Sequence, residues 1–491
     1  MGKGPKVLSV GEEFIMKATV NEDCIGCGLC ESTCAEVFAI GDEGVAEVIV
    51  DEVPEESEDA AQEAADNCPV SAIDIEQGKR RGDLGITYDE DVLRLMDVFR
   101  GMGLSIGGVV ITRFSGQPKA EAYQARLEQM GIEVYCHYPI ADYPSNIDLI
   151  VSDEGFGKNE YVKTTKPLVV VTAPGPGSGK LAVCLSQLYN EHVRGIEAGY
   201  AKFETFPVWN LPLKHPVNVA YEAATADLDD NNIIDPYHLE AHGEVTVNYN
   251  RDVETFPVLR AMMEKIAGHS PYQSPTDMGV NMVGYCISDD DACRKAALHE
   301  IVRRHYWCAE KIARTGIGES ELRKIGLLMK EVGVDKNLNP AHAAALLKEE
   351  VTGKPAGAMV LPDGSVVTGK TSELLGAASS LLLNALKRVA GVEKDHWVVS
   401  DEALAPISRL KTTHLKSKNP RLHSDETLIA LSISSASNPE AKRVIEASNQ
   451  LHGCTAYFSV IISSTDERVY RKLGINVCCE PKFERGTFYH R

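Results

Sequence analysis

Apolar positions change their spacing several times along this chain. Over Tyr88 to Gly101 and Pro118 to Gly131 they recur at helical intervals, whereas Ser105 to Thr112, Ile132 to His137, Asp148 to Ser152 and Pro167 to Thr172 are short strand-like runs. The last of these, Leu168-Val-Val-Val-Thr172, is nearly continuous, as expected of a parallel strand buried on both faces. Strands alternating with helices predict a doubly wound α/β sheet. From Ala292 to Thr315, Glu319 to Val332 and Pro340 to Glu350 the period is helical, broken at Gly316-Ile-Gly318 and Gly333, which predicts a helical insert. Strand signals then return in a hairpin over Val360 to Thr368 that turns at Pro362-Asp363-Gly364. A helix from Glu373 to Ala390, a strand from Leu428 to Ser434, a helix from Pro439 to Leu451 and a strand from Ala456 to Ser463 follow it. Phe203 to Met282 carries no long periodic segment and reads as binding loops.

The N-terminal stretch is different in kind. It has a strand-like run from Val45 to Val50, a helical one from Glu55 to Asn67, a turn at Gly41-Asp42-Glu43-Gly44 and a closing Ser71-Ala72-Ile73. Its cysteines dominate: Cys24-Ile-Gly-Cys27-Gly-Leu-Cys30-Glu-Ser-Thr-Cys34, with Cys68-Pro69 further on. A cubane [4Fe–4S] cluster needs thiolates converging on a small volume, and C-x-x-C-x-x-C wraps three corners while a distant cysteine takes the fourth. No second such run follows, so one cluster is assigned to Cys24, Cys27, Cys30 and Cys68. Cys34 is left as a spare thiol that packs, oxidises or substitutes as a ligand. The competing reading is a structural zinc site, although zinc motifs favour paired C-x-x-C hooks. Residues 15 to 78 resemble a monocluster bacterial ferredoxin.

Charge sharpens this division. Of 491 residues, enough for about three domains, the first 78 hold 19 acidic and 3 basic side chains and so carry 16 of the 21 net negative charges. An acidic surface around a redox centre repels nucleic acid and steers toward a redox partner with a basic docking surface, unless the carboxylates serve solubility alone. No apolar run is long enough for a membrane span, and Met1 to Lys17 has no apolar signal region. The eight remaining cysteines, Cys478-Cys479 among them, form no disulfide framework, and a cytoplasmic location is expected.

After the valine run comes Thr172-Ala-Pro-Gly-Pro-Gly-Ser-Gly-Lys180, then a helical stretch from Leu181 to Gly195. Strand, glycine-rich loop and helix form the setting in which amides cradle a phosphate, so Gly175, Gly177, Ser178, Gly179 and Lys180 are candidates for binding a nucleotide or phosphorylated ligand. Pro174 and Leu181 stand where a P-loop wants its first glycine and its magnesium-binding hydroxyl, and a tight strand-to-helix turn explains the glycines equally well. Gly364 to Thr371 matches the P-loop pattern letter for letter but lies in the expected hairpin. There Thr371 or Ser372 reads as the cap of the next helix, whose N-terminus is able to hold an anion near Lys370. His238-Leu-Glu240-Ala-His242 offers metal ligands on one face of a helix or of a strand, Arg251-Asp252 reads as a salt-bridged pair, and Asp277 as a helix cap. Arg421-Leu-His423-Ser-Asp425-Glu426 lines a cleft or is a surface loop bearing a salt bridge.

Several long motifs carry a second resemblance: Arg81-Gly-Asp-Leu-Gly-Ile-Thr-Tyr-Asp89, Val151-Ser-Asp-Glu-Gly155, Thr172 to Lys180, Asn210-Leu-Pro-Leu-Lys-His-Pro216, Val247-Asn-Tyr-Asn-Arg-Asp252, Ser274-Pro-Thr-Asp-Met-Gly279 and Asn419-Pro-Arg-Leu-His423. From about Lys79 onward the chain is similar to a bacterial family known only as a domain of unknown function. The resemblance implies an α/β part, a helical insert and a smaller C-terminal α/β part, and brings no reaction or catalytic residues. Its members begin with their own N-terminal segment, whose place the ferredoxin-like module takes here. The expected organisation is a ferredoxin-like [4Fe–4S] domain at 15–78, an α/β domain at 79–285, a helical domain at 286–352 and a C-terminal α/β domain at 353–491. Three functions stay open. The first is single-electron transfer to a partner or to the fused domain. The second is a phosphate- or nucleotide-binding enzyme with a structural or regulatory cluster, and the third is a binding or scaffold protein with no turnover. Association of like chains is also open.

Overall fold

The computed structural model describes residues 12–484 apart from 21–23, 42–43, 51–52, 55–56, 58–59, 62–63, 66–67, 69, 71, 82–86, 176 and 418. Asp42 and Glu43 of the expected turn, Pro69, Ser71, Pro176, much of the helix over Glu55 to Asn67 and Gly82 to Ile86 lie outside the described residues. The chain divides into two compact units, Met1–Phe203 with Asp252–Val280, and Glu204–Arg251 with Asn281–Arg491.

In the first unit, β1 (Glu12–Val20) runs antiparallel to β4 (Ile73–Arg81), with Val20 opposite Ile73. Between them lie the short helix α1 (Leu29–Thr33) and a hairpin of β2 (Phe38–Ile40) and β3 (Ala46–Val48). Ala18, Cys34, Val37, Phe38, Ala61 and Ile73 are buried together as the core of this module. Helix α2 (Tyr88–Gly101) opens on a capping box in which the Thr87 amide donates to Glu90 Oε2 at 3.2 Å. β5 (Val109–Thr112) and β6 (Val134–His137) then pair in parallel across α3 (Pro118–Gln129), and Met96, Leu127 and Ile132 are buried beneath.

Two expected strands of this sheet do not form. Asp148 to Ser152 falls in a helical turn, α4 (Ile147–Ile150), capped by Asn146. Pro167 to Thr172 is irregular, and its Leu168 and Val170 are 80% and 76% exposed. A valine run becomes a central parallel strand only where neighbours offer ladder hydrogen bonds and a face to cover, and the β5–β6 pair gains no third strand among the described residues. The mixed α/β class holds, with the doubly wound sheet reduced here to a parallel pair.

The second unit begins with α6 (Pro216–Ala224), which follows the first unit's α5 (Lys180–Val193), then β7 (Asn232–Ile234), α7 (Pro236–His242) and β8 (Val247–Tyr249). Three helices, α8 (Asp290–Thr315), α9 (Glu319–Glu331) and α10 (Pro340–Thr352), form as expected. Gly316, at φ 73°, supplies the left-handed residue that ends α8. A four-stranded mixed sheet follows from β9 (Ala356–Val360), β10 (Val366–Lys370), β11 (Thr455–Phe458) and β12 (Asn476–Cys479), in the order β10-β9-β11-β12. β9 is antiparallel to both neighbours and β11 is parallel to β12. Helix α11 (Ala377–Val389) buries Leu381, Leu382 and Leu386 against this sheet.

The expected strand from Leu428 to Ser434 is instead part of α12 (Ser424–Ser434). Its buried positions, Ser424, Thr427, Ala430, Leu431 and Ser434, recur every three or four residues, while Ile429 and Ile433 are each 54% exposed. That is a helical stripe, which a short apolar run does not reveal by itself. Helices α13 (Pro439–Glu446) and α14 (Ser464–Lys472) complete the unit.

Candidate functional site

Two glycines shape the cysteine loop. Gly26 has φ 66°, and a Cβ there would lie 1.9 Å from the Gly44 carbonyl oxygen, so the loop closes against the hairpin only with glycine at this place. Gly28, at φ 74°, turns the chain into α1 and sets Cys27 and Cys30 on either side of the turn. Cys24, Cys27, Cys30 and Cys68 then line one cavity, together with apolar Ile25, Leu29, Ala46, Ala64, Val70 and Ile73. The Ala46 amide donates to Cys24 Sγ at 3.4 Å and the Ala72 amide to Cys68 Sγ at 3.3 Å. N–H···S bonds of this kind stabilise charge on a thiolate and are one of the levers by which a protein sets a cluster's potential.

Cys34 stands apart. It is 1% exposed, does not line the cavity, and points its thiol toward the Ser57 carbonyl 3.9 Å away. Burial, helped by the Glu36 charge, pushes this thiol's pKa up, which favours the unreactive protonated form. Burial also raises Cys30, a cost that metal coordination removes. Four thiols, an apolar lining and two amide donors fit an iron–sulfur cluster. Cys27, with Ile25, Leu29 and Val70, leaves an exposed apolar edge on the same cavity.

The glycine-rich loop is arranged differently. It leads into α5, whose N-cap Gly179 has φ 81°. Thr112 at the end of β5 donates to the Ser178 carbonyl at 3.1 Å, and Tyr88 Oη would lie 2.4 Å from a Cβ at Gly175. The loop thus sits at the carboxyl end of a parallel strand, where α/β proteins place ligands. Lys180 folds back on it, donating from Nζ to the Gly175 carbonyl at 2.9 Å and to Ser178 Oγ at 3.2 Å, and burial lowers its pKa. Gly177 has φ 70° and is exposed. The lysine serves the turn itself in this arrangement, and a phosphate would have to displace those two bonds.

The second P-loop match resolves as β10, with Gly369 and Lys370 paired to Gly357 and Ala356. His238 and His242 do share a face of α7, with ring centroids 4.6 Å apart, while Glu240 is exposed, so the strand reading with all three on one face does not hold. Arg251 and Asp252 are not a pair. Arg251 bridges to Asp230 at 2.8 Å and Asp252 to Lys202. Asp277 accepts from the Gln273 and Ser274 amides as the third residue of a short helix capped by Ser274.

Sequence reasoning missed a buried network in the second unit. Asp466 accepts from the Ser424 amide and hydroxyl, each at 2.7 Å, and from Ser463 Oγ at 2.7 Å, with His423 Nδ1 at 3.1 Å. Burial pushes this carboxyl up, yet the bonds from His423, Ser424 and Ser463 outweigh it and hold its pKa below the usual range. The Ser463-x-x-Asp466 spacing of a helix cap was the available signal.

Comparison with known proteins places these sites in two families. Residues 20–75 match the 4Fe-4S single cluster domain of Ferredoxin I. Residues 61–333 and 337–489 match the N-terminal and C-terminal parts of the domain of unknown function DUF1846. The chain belongs to the DUF1846 family. Among DUF1846 relatives, a UPF0371 protein of Streptococcus thermophilus is 53% identical over 422 residues, 86% of this chain and 85% of that one. A UPF0371 protein of Streptococcus pneumoniae serotype 19F is 52% identical over the same shares. The ferredoxin match supplies the iron–sulfur module expected from the cysteine spacing. Among the described residues of this DUF1846 chain, no helix is long and apolar enough to cross a membrane.

Proposed function

We propose that the N-terminal module is a one-electron carrier that uses a [4Fe–4S] cluster held by Cys24, Cys27, Cys30 and Cys68. The observation that carries this reading is the convergence of these four thiols, and not Cys34, on one cavity. A bound cluster supplies reversible one-electron chemistry. The chain's own residues do the rest. Ala46 and Ala72 donate to two sulfurs, the apolar lining excludes water, and the exposed edge at Cys27, Ile25 and Leu29 offers the side toward which a partner docks. Exposed Glu31, Glu36 and Glu47 on the same module favour a partner with a basic patch in a reducing, cytoplasmic setting. The electron is destined for that partner or for the attached DUF1846 domain.

Electron paramagnetic resonance of anaerobically purified, dithionite-reduced protein tests this, with iron and acid-labile sulfide counted on the same sample. A fast-relaxing reduced [4Fe–4S] signal with about four irons per chain is expected. Zinc without sulfide in protein never exposed to air overturns the reading. The alternative, an enzyme that binds a phosphate at Gly175 to Lys180, has in its favour only the loop's place at the end of β5.

A further inference from the structure

The start of α11 combines features that no part of the electron-transfer reading uses. The chain leaves β10 at Thr371, whose amide donates to the Pro355 carbonyl at 2.8 Å. It then turns through Ser372 and reaches Gly376, whose amide donates to Leu422 at 3.3 Å. The first helical hydrogen bond is Ser380 to Gly376, at 2.9 Å. Gly376 is the N-cap and has no side chain to offer, so the amides of Ala377 and Ala378 have no hydrogen-bond partner among the described residues. Both residues line a cavity walled by Val460 to Ile462.

A second, independent feature lies in the same cavity. Thr371 is 3% exposed and lines it, and its hydroxyl has no hydrogen-bond partner among the described residues. A residue so deeply buried usually ties its hydroxyl to the protein, whereas this one leaves its hydroxyl to whatever enters the cavity. The residues that carry these two free amides and this hydroxyl line one cavity at the positive end of a helix dipole, three donors in a set suited to an oxyanion. The remaining polar side chains of the lining are Ser463 and two carboxylates. Asp466 is occupied by Ser424, Ser463 and His423, while Glu484 lies 3.5 Å from Arg421. Bare carboxylates would repel any anion. Paired ones still accept a hydrogen bond from an anion that keeps a proton, which inorganic phosphate does near neutral pH, a phosphomonoester does as its monoanion, below a second pKa of about 6, and sulfate does not.

We propose that this cavity is a phosphate-group site, with Ala377 N–H, Ala378 N–H and Thr371 O–H donating to the phosphoryl oxygens and a lining carboxylate accepting from the P–O–H. Inorganic phosphate and a small phosphomonoester share this chemistry.

Thermal unfolding of the full-length protein against inorganic phosphate, glycerol phosphate and sulfate tests it. Phosphate or the monoester raises the melting temperature and sulfate does so less. A preference for the monoester points to a metabolite rather than free phosphate as the natural occupant. Thr371→Val weakens phosphate binding about tenfold, the effect of one hydrogen bond to a charged group. Ala377→Pro is the second variant. Proline suits the first helical position, and the preceding Gly376 is extended at φ −65° and ψ 166°, so the change removes one donor while keeping the helix start. It too weakens binding. Equal stabilisation by sulfate, no response to phosphate or the monoester, or a phosphate response that survives both variants but is lost in Lys180→Ala would overturn the proposal.

Discussion

The cysteine-lined cavity of the first unit and the cavity at the start of α11 in the second are held together in opposite ways. In the first, the lining comes from a loop whose thiols have little to bond to except two amides, and the small core around it is built from residues such as Ala18, Ala61 and Phe38. In the second, the walls are the ends of β10, β11, α11 and α14, tied by the Asp466 network and backed by a large leucine-rich core. On the proposed reading the first site needs its cluster to gather the thiols, whereas the walls of the second are tied to one another by protein hydrogen bonds. Their sensitivities to mutation should differ accordingly.

The largest effect tests that contrast directly. Replacing Cys30 by Ser removes a buried corner ligand, and metal binding to such a small module is a large part of its folding free energy. Loss of the reduced-cluster signal and early, separate unfolding of residues 12–81 are expected, by spectroscopy and limited proteolysis. Cys34→Ala, a deletion in the same core but off the cavity, should keep its iron and cost only about 1 kcal/mol. Iron lost from Cys34→Ala and retained by Cys30→Ser would reverse the assignments of Cys30 and Cys34.

The second site answers to its network. Asp466→Ala strands the Ser424 amide and hydroxyl in a buried space and takes one partner each from Ser463 and His423, and should destabilise the second unit by about 3 kcal/mol in urea. The same carboxylate gives the contrast a pH signature. Its folded pKa is depressed below its unfolded value of about 3.9, so its contribution is complete above that value and is lost as pH falls through the folded pKa. Each unit of depression is worth about 1.4 kcal/mol. Unfolding midpoints of the wild type should therefore fall more steeply below about pH 4 than those of Asp466→Asn. Parallel slopes for the two proteins would mean that the carboxylate is not held ionised.

The same contrast explains what could be read from the sequence. The cluster ligands were legible because thiolate chemistry imposes its spacing on one short segment, with Cys68 marked by its isolation. The helices α8, α9 and α10 were legible because glycine stops at Gly316 and Gly333 bracket long periodic runs. The cavity at α11 draws Thr371, Ala377, Ser463 and Asp466 from three separated stretches, and alanines offering backbone amides leave no residue-type signal at all. The valine run at 168–171 misled for a related reason. Its composition describes a buried strand, but burial needs pairing partners that composition cannot supply.

The smallest expected effect concerns Lys180, which separates a structural turn from a binding loop. With Nζ bonded to the Gly175 carbonyl and Ser178 Oγ, the ammonium acts as an internal strut. Lys180→Ala then costs the net worth of two partly exposed hydrogen bonds, about 1 kcal/mol, and the cost is the same with or without phosphate. If the lysine is instead the charge of a phosphate cradle, the free protein loses little on mutation and the difference between the two proteins grows as phosphate is added, because a ligand stabilises only the form that binds it. Urea midpoints of both proteins along a phosphate series distinguish the two. A constant offset identifies the strut, and a widening one returns the loop to the candidates for phosphate recognition.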